Sequence, residues 1–310
     1  MRLPRPLRGP VVHAALVPLA LAVTLVPAVT DQARKMPKPM PPFEEMTRLR
    51  VVYTLPGMEQ SVVQKDVVYR KIGEAPLKMD VYAPFDLKEG ERRPAVVFVH
   101  GGPVPALGST KDWGVFVSYG QLAAASGFVG VTFNHRFHAP EAAPDADADV
   151  AEVVAYLRKN ASDLGIDRDR IALWAFSGGG PFLARWIADP PPYVRALVSY
   201  YAVLDIRTPP PGRPAKLTSE ARARLSPVAR LMESTRPVPM LIARAGQDDK
   251  SLNATVDAFL LEALKLNLPV ELLTHPEGRH GFDILDDDAR SREIISRTFA
   301  FIDAQMKPRE

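Results

Sequence analysis

The sequence predicts an α/β fold with a mostly parallel central sheet and helices on both faces of the sheet. Three observations support this prediction: six short runs are mostly apolar, helical patterns separate several of them, and alternating segments precede them. Apolar runs of strand length are typical of strands buried on both faces, whereas alternation is typical of antiparallel strands with one exposed face. Strands and helices that alternate along a chain form a parallel sheet covered by helices.

Each element follows from its own pattern. The buried strands are predicted in AVVFVH (95–100), VGVTFN (129–134), IALWAF (171–176), ALVSYYAV (196–203), PMLIARAG (239–246) and VELLTH (270–275). Apolar residues at three- and four-residue spacing predict helices in DVAEVVAYLRKNA, GGPFLARWIAD, NATVDAFLLEALKLN and DARSREIISRTFAFIDAQM. The antiparallel strands are predicted in RLRVVYTL, SVVQKDVVYRKI and PLKMDVYAP.

The N-terminal region predicts export. Arg2, Arg5 and Arg8 precede an uncharged apolar stretch over residues 11–29, which is the layout of a secretory signal. We therefore interpret residues 1–35 as a signal peptide or an anchor, and we expect a periplasmic or secreted protein. Residues 36–64 are predicted to be a linker and an N-terminal strand region, followed by one domain over residues 65–310.

The proline- and arginine-rich segment 205–237 departs from the alternation of strands and helices. Its position favours a small lid over the sheet and a solvent-exposed connection equally. Asp145, Asp147 and Asp149 alternate with alanines before a helical pattern, so they are predicted to cap the helix and to complement its dipole.

Composition excludes several classes of protein. The 310 residues are 46% hydrophobic and 24% charged with a net charge of +3, which is typical of a globular protein without a basic nucleic-acid surface. The absence of cysteine excludes disulfides, thiolate zinc sites and a cysteine nucleophile. No cofactor and no metal is predicted. Nucleic acid is not expected as a partner, and no stable membrane partner is expected beyond a possible N-terminal anchor. The composition does not indicate an oligomeric state.

Ser177 is the candidate nucleophile. It lies in LWAFSGGGPF (173–182), between a predicted buried strand and a predicted helix, where a tight strand-to-helix turn exposes a serine in many hydrolases. The residues two before and two after such a serine must be small, because strand and helix backbones nearly touch there. Ala175 and Gly179 meet this requirement, although alanine replaces the commoner glycine.

Gly101 and Gly102 follow another buried strand in VVFVHGGP and are candidates for an oxyanion hole. Glycine lets backbone N–H groups point at an exposed site without side-chain obstruction. The N–H of Gly178, directly after the serine, is the predicted third donor. Pro103 follows Gly102 and has no N–H to donate.

His280 is the candidate base, because glycines flank it in a loop after the last predicted strand. The competing His275 ends that strand, so we expect it to pack or to hydrogen-bond locally. The acid follows the preceding strand, where LIARAGQDDK offers Asp248 and Asp249. We assign Asp248 to catalysis, since Asp249 lies nearer the next helix and is better placed to cap it. The chain order of serine, aspartate and histidine is one that hydrolases use.

The quoted segments resemble the α/β-hydrolase superfamily and, within it, the acetyl-esterase and hormone-sensitive-lipase group. VHGGP is similar to the oxyanion motif of that group, WAFSGGG to its nucleophile turn, and AGQDDKSLN and HGF to its acid and histidine segments. The resemblance covers roughly residues 65–305. It implies an α/β-hydrolase fold with an antiparallel N-terminal side. The chain departs from the group at Ala175 and at Pro103, and no large N-terminal cap is evident.

The expected function is hydrolysis of short-chain carboxylic esters by a serine esterase, through an acyl-enzyme and without a cofactor. The substrate is expected to be a small-molecule ester. Two alternatives stay open: a peptidase of the prolyl-oligopeptidase type, which normally has a gating domain, and a non-catalytic binding protein of the same fold. A dienelactone-type hydrolase is not expected, because that class normally uses a cysteine nucleophile and this chain has no cysteine.

Overall fold

Eight strands form one sheet in the computed structural model, which describes residues 40–104, 109–209, 215–234 and 236–307. All of these residues lie in the unit Pro39–Glu310, whereas the expected signal or anchor segment, residues 1–35, lies outside the described residues. Within the described ranges, every helix is too short or too polar to cross a membrane.

The sheet is antiparallel at its N-terminal side and parallel over the rest. The spatial order is β1-β2-β4-β3-β5-β6-β7-β8, in which the β1–β2 and β2–β4 pairs are antiparallel and the later pairs are parallel. The strands are β1 (Val62–Ile72), β2 (Ala75–Ala83), β3 (Arg93–Val99), β4 (Val129–Phe133), β5 (Ile166–Phe176), β6 (Val194–Tyr200), β7 (Met240–Ala245) and β8 (Val270–His275). This arrangement confirms the predicted sheet.

Helices cover both faces of the sheet, as predicted. The α-helices are α1 (Phe43–Met46), α2 (Gly114–Ala125), α3 (Ala143–Lys159), α4 (Ala184–Ala188), α5 (Ser219–Arg224), α6 (Pro227–Arg230), α7 (Lys250–Lys265), α8 (Phe282–Leu285) and α9 (Ala289–Met306). Buried residues of α3, α4, α6 and α7 pack on one face, and those of α2, α8 and α9 pack on the other. The central strands β3, β4 and β5 lie between these two cores, which explains why the runs 95–99, 129–133 and 171–176 within them are mostly apolar.

The strand predicted in RLRVVYTL is wrong, because residues 48–55 form no strand. Val51 is buried, but its N–H donates to Ser118 Oγ on α2 at 2.9 Å. The N–H of Val52 donates to the carbonyl of Asp283 at 2.8 Å. An extended chain that packs one side on a domain produces the same alternation as a strand, although its hydrogen bonds go elsewhere.

The role predicted for Asp145, Asp147 and Asp149, which all lie within α3, is only partly right. Asp145 lies in the first turn of α3, but Asp147 and Asp149 are buried and form ion pairs. Asp147 Oδ2 lies 2.6 Å from Arg185 on α4 and 3.2 Å from Arg224 on α5, so this carboxylate joins three helices. The function of these charges is therefore tertiary rather than local.

The described part of segment 205–237 packs on the domain. Leu225 and Leu231 are buried in the same core as α3 and α7. The N–H of Val228 donates to the carbonyl of Leu204 at 3.0 Å, and Lys216 pairs with Glu141 at 2.9 Å. Residues 210–214 and 235 of this segment lie outside the described residues.

Candidate active site

Ser177 lies directly after β5 in a left-handed backbone conformation, with φ of +51°. This conformation costs free energy for a residue with a side chain, and it turns the chain sharply enough to expose the hydroxyl. A 3-10 helix, Ser177–Leu183, follows before the five-residue α4 begins. The α-helix predicted over residues 179–189 is therefore shorter than expected.

The three glycines after Ser177 allow three separate backbone contacts. A methyl group on Gly178 would lie 2.2 Å from the carbonyl oxygen of Gly102, and one on Gly179 would lie 2.8 Å from that of His100. A methyl group on Gly180 would lie 2.1 Å from the carbonyl oxygen of Val203, in the loop after β6. Each distance is far below a van der Waals contact. The turn therefore packs against the ends of β3 and β6 at a spacing that only glycine permits.

The three predicted catalytic side chains lie together at the carboxyl edge of the sheet. His280 Nε2 lies 2.8 Å from Ser177 Oγ, and His280 Nδ1 lies 2.7 Å from Asp248 Oδ2. A carboxylate only accepts hydrogen bonds, so Nδ1 carries the proton and Nε2 is left to accept from the serine hydroxyl. The side chain of Asp248 is 4% exposed and that of His280 is 32% exposed. The arrangement can therefore withdraw a proton from Ser177.

The two adjacent aspartates have different partners. Asp248 Oδ1 accepts the backbone N–H of Asp249 at 2.7 Å, while its other oxygen faces His280. Asp249 Oδ1 instead accepts the N–H groups of Ser251 at 2.7 Å and Leu252 at 3.4 Å, at the start of α7. Hydrogen bonds from Ser251 lower the pKa of Asp249 below its ordinary value. Asp249 therefore caps α7, as expected, and Asp248 faces His280, which leaves its catalytic role a prediction.

Backbone hydrogen bonds join the turn that carries Asp248 (residues 246–249, the acid turn) to the loop that carries His280 (residues 276–281, the histidine loop). The carbonyl of His275 accepts the N–H of Gly246 at 2.8 Å and that of Gly278 at 3.0 Å, and the N–H of Gln247 donates to Gly278 at 2.9 Å. A methyl group on Gly246 would lie 2.2 Å from the carbonyl oxygen of Pro276. The chain that precedes Asp248 is thereby joined to the chain that precedes His280.

His275, which was the competitor for the role of base, is buried away from Ser177. Its Nε2 lies 3.1 Å from Ser291 Oγ and 3.2 Å from an oxygen of Asp288, both at the start of α9. This local partnership is what the sequence analysis expected of it.

The candidate oxyanion glycines surround Ser177. A methyl group on Gly101 would lie 2.8 Å from Ser177 Cβ and 3.1 Å from the nitrogen of Gly178. The nitrogen of Gly102 would lie 3.0 Å from a methyl group on Gly178. The peptide groups of the loop after β3 therefore lie beside the peptide group that follows the serine, as an oxyanion site requires.

Two buried histidines lie behind this loop. His100 and His135 stack with ring centroids 3.5 Å apart and an angle of 8° between the ring planes. Burial lowers the pKa of His100 to about 4. Burial and the neighbouring His100 lower the pKa of His135 well below its ordinary value. Both rings are therefore neutral at pH 7. No group of metal-ligand side chains of the size that holds an ion occurs among the described residues.

Sequence reasoning missed a hydrogen-bond network beside His280. The ring of Tyr201 packs on that of His280 with centroids 4.7 Å apart. Its hydroxyl donates to Asp283 at 2.7 Å, and the hydroxyl of Tyr119 donates to the other oxygen of Asp283 at 2.8 Å. Burial raises the pKa of Asp283, against the effect of these two hydrogen bonds. One signal was available, since Tyr201 follows directly after β6, at the edge of the sheet where the site lies.

Comparisons with known proteins agree with this architecture. The BD-FAE family model matches residues 79–188. These residues include β3, the loop after it with Gly101 and Gly102 (the candidate oxyanion loop), and the turn at residues 177–180 (the serine turn). Human carboxylesterase 3 is 24% identical over 125 residues, which are 38% of this chain and 22% of the human protein. Mouse carboxylesterase 3B matches to the same extent. The chain thus matches only about a fifth of the length of these curated relatives.

Solved structures match over most of the chain. Esterase 2 of Thermogutta terrifontis with bound propionate has a TM-score of 0.62 and 22% identity, over 82% of this chain and 98% of that one. The same esterase phosphorylated by paraoxon has a TM-score of 0.60 and 22% identity, over 84% and 100% of the two chains. With the observed sheet order and the serine turn, these similarities establish that the chain has the α/β-hydrolase fold.

Proposed function

We propose that the protein is a serine hydrolase that cleaves short-chain carboxylic esters through an acyl-enzyme. The observation that carries the proposal is the continuous pair of hydrogen bonds from Asp248 through His280 to Ser177, at 2.7 and 2.8 Å. The esterases and carboxylesterases to which the chain is similar support the same reaction.

In the proposed reaction, Ser177 Oγ attacks the ester carbonyl as its proton passes to His280 Nε2. The imidazolium then gives that proton to the departing alcohol, which leaves an acyl group on the serine. Water attacks the acyl group in the second half-reaction and gives a proton to His280. The bond between the acyl carbon and Ser177 Oγ then breaks, the proton returns from His280 to Oγ, and the carboxylic acid leaves. Asp248 holds the ring in the reactive tautomer and stabilises its positive charge.

The N–H groups of Gly101, Gly102 and Gly178 are the proposed donors to the oxyanion. They lie in backbone whose position is set by contacts with the serine turn, so they need little reorganisation when charge develops. Each such donor is worth about 3 kcal/mol of transition-state stabilisation. Pro103 contributes no donor, which leaves the N–H groups of Gly101, Gly102 and Gly178 to carry this role.

We propose acetyl to butyryl esters as substrates. Thermogutta esterase 2 is described with bound propionate and with bound butyrate, at 22% and 21% identity to this chain. The described part of segment 205–237 packs on α4 and α7 through α6. A preference for long acyl chains, measured over a series of p-nitrophenyl esters, would contradict this part of the proposal.

The central test combines turnover with covalent labelling. Purified residues 36–310 should hydrolyse p-nitrophenyl acetate, and Ser177→Ala should abolish turnover while circular dichroism shows an intact fold. Paraoxon, which phosphorylates the Thermogutta esterase, should inactivate this protein with one phosphoryl group on the peptide that contains Ser177. Undiminished turnover in Ser177→Ala, or labelling at another residue, would reject Ser177 as the nucleophile.

We also propose export to the periplasm or the medium. The support is the run of Arg2, Arg5 and Arg8 before the uncharged stretch 11–29. Mass spectrometry of the N-terminus of the protein recovered from cell fractions tests this proposal. An intact Met1 on cytosolic protein would contradict it.

A further inference from the structure

Two carbonyl groups in the oxyanion loop are each held by an imidazole ring. His100 Nδ1 lies 2.7 Å from the carbonyl oxygen of Gly101. His135 Nε2 lies 3.2 Å from the carbonyl oxygen of His100. His135 comes from the chain after β4, so a second strand end supports the loop that follows β3. The sequence analysis gave neither ring a part in the chemistry.

The partners determine which nitrogen carries the proton in each ring. A carbonyl oxygen only accepts, so His100 is protonated on Nδ1 and His135 on Nε2. The other nitrogen of His135 lies 3.4 Å from the backbone nitrogen of Phe137, which only donates, so His135 is neutral with a single N–H. His100 Nε2 is buried without a hydrogen-bond partner among the described residues, which also favours the neutral ring.

The geometry of the peptide bond carries these contacts to the oxyanion donors. In a trans peptide group, the C=O and the N–H of the next residue point in opposite directions. A hydrogen bond to the carbonyl of Gly101 therefore fixes the direction of the Gly102 N–H. A hydrogen bond to the carbonyl of His100 fixes the direction of the Gly101 N–H in the same way.

We propose that His135 is a positioning residue for the oxyanion hole. It holds the peptide group between His100 and Gly101 directly, and it holds the ring of His100 by stacking, so that both N–H groups point toward the reacting carbonyl. This inference rests on the proposed ester hydrolysis, in which negative charge develops beside Ser177. It assigns a role to a residue that lies outside the serine turn, the acid turn and the histidine loop.

The surroundings of His135 suit this role. The ring lies against His100 on one face and is enclosed by Phe133, Phe137 and Phe182, with ring centroids 5.6, 6.4 and 5.3 Å away. His135 is 7% exposed and His100 is 1% exposed. Rings that are packed in this way cannot rotate to release their carbonyl partners. The donors are consequently held in place before charge develops, which is the condition for effective electrostatic stabilisation.

Two substitutions at His135 separate the hydrogen bond from the packing. His135→Phe keeps an aromatic ring but removes the donor, whereas His135→Gln places an amide donor close to the position of Nε2. Phe259→Leu, in the core under α7, serves as the control for a loss of stability away from the site. All three variants are compared with the wild type by p-nitrophenyl butyrate kinetics, by thermal unfolding and by inhibition with an aryl trifluoromethyl ketone.

We expect His135→Phe to lower kcat about 10- to 100-fold with KM within about threefold, which is less than the loss on deleting a donor outright. The inhibition constant of the trifluoromethyl ketone, whose serine adduct carries an oxyanion, should rise by the factor by which kcat/KM falls. His135→Gln should recover most of the loss. Phe259→Leu should lower the unfolding temperature without either kinetic change.

Wild-type kcat in His135→Phe, or a loss no different from that of Phe259→Leu at matched stability, would overturn the inference. If His135→Phe does not fold, ¹⁵N spectra of the wild-type histidines decide instead. We expect His100 protonated on Nδ1 and His135 on Nε2 at pH 7, and the opposite tautomers would refute the positioning role. Failure of the wild type to cleave any ester would contradict the proposed function, and the tautomers would still test the hydrogen bonds.

Discussion

Acidification should destabilise the protein through its buried neutral histidines, and His100 allows the size of the effect to be worked out. The unfolded chain binds a proton to this imidazole at its ordinary pKa of 6.5, whereas burial lowers the folded pKa to about 4. Between these values the unfolded state binds more protons, so stability falls as the pH falls. The full difference corresponds to about 3 kcal/mol, most of which is lost between pH 7 and pH 4.5.

The assay compares the wild type with His100→Asn, whose side-chain amide keeps a donor near the position of Nδ1 but does not titrate. Urea unfolding at pH 7 and at pH 4.5 gives the loss of stability for each protein. Most other groups contribute equally to both proteins. Because His100 also lowers the pKa of His135, the difference between the two losses reports His100 together with its effect on His135. We expect the wild type to lose about 2–3 kcal/mol more than the variant. Equal losses would show that His100 is not held neutral by burial, and the reasoning would fail.

Three further predictions concern the site and its supports. Asp248→Asn should lower kcat about 10⁴-fold, because the asparagine favours the wrong tautomer of His280. Asp249→Ala should leave kcat unchanged and lower the free energy of unfolding by about 1 kcal/mol, because the cap of α7 is lost. Steady-state kinetics and urea unfolding measure both effects, and the reverse result would exchange the two assignments. Gly180→Ala should lower the free energy of unfolding in urea by about 1–3 kcal/mol and should lower ester turnover, because its methyl group would lie 2.1 Å from the carbonyl oxygen of Val203. Wild-type stability and turnover in this variant would refute the close approach. Asp147→Asn should lower the free energy of unfolding by about 1–2 kcal/mol, as measured by thermal or urea unfolding. This is less than the 3–5 kcal/mol expected on breaking a fully buried ion pair, because the partners Arg185 and Arg224 are 40% and 50% exposed. An unchanged stability would show that the two ion pairs contribute nothing.

The strands of the sheet could be predicted from sequence because burial on both faces requires apolar residues within one short segment. A strand between two helical layers is mostly apolar, and the buried parts of β3 to β7 show this pattern in the printed sequence. The strand prediction for residues 48–55 is wrong because alternation of apolar and polar residues shows only that one side of the segment is buried. It does not show which groups the backbone hydrogen-bonds to. In this segment the partner of Val51 is the hydroxyl of Ser118, which no local pattern indicates.

At the candidate site, too, some residues could be predicted from the sequence and others could not. Ser177, Asp248 and His280 could be proposed from sequence because each follows a strand, and parallel strands bring their carboxyl ends to one edge. The pairing of Tyr119 and Tyr201 with Asp283 could not, because these hydrogen bonds join residues 164 and 82 positions apart. The same holds for Asp147, whose arginine partners lie on other helices.

The joining of the acid turn to the histidine loop has a consequence for how the chain can change over evolution. Backbone hydrogen bonds at Gly246 and Gly278 support the spacing of acid and base, and the helix between the two strands takes no part in them. Residues could therefore be inserted or deleted in α7 beyond Asn253 while these hydrogen bonds keep the two side chains at the same spacing. Such changes would reshape the surface near the site without altering the geometry that makes the histidine basic.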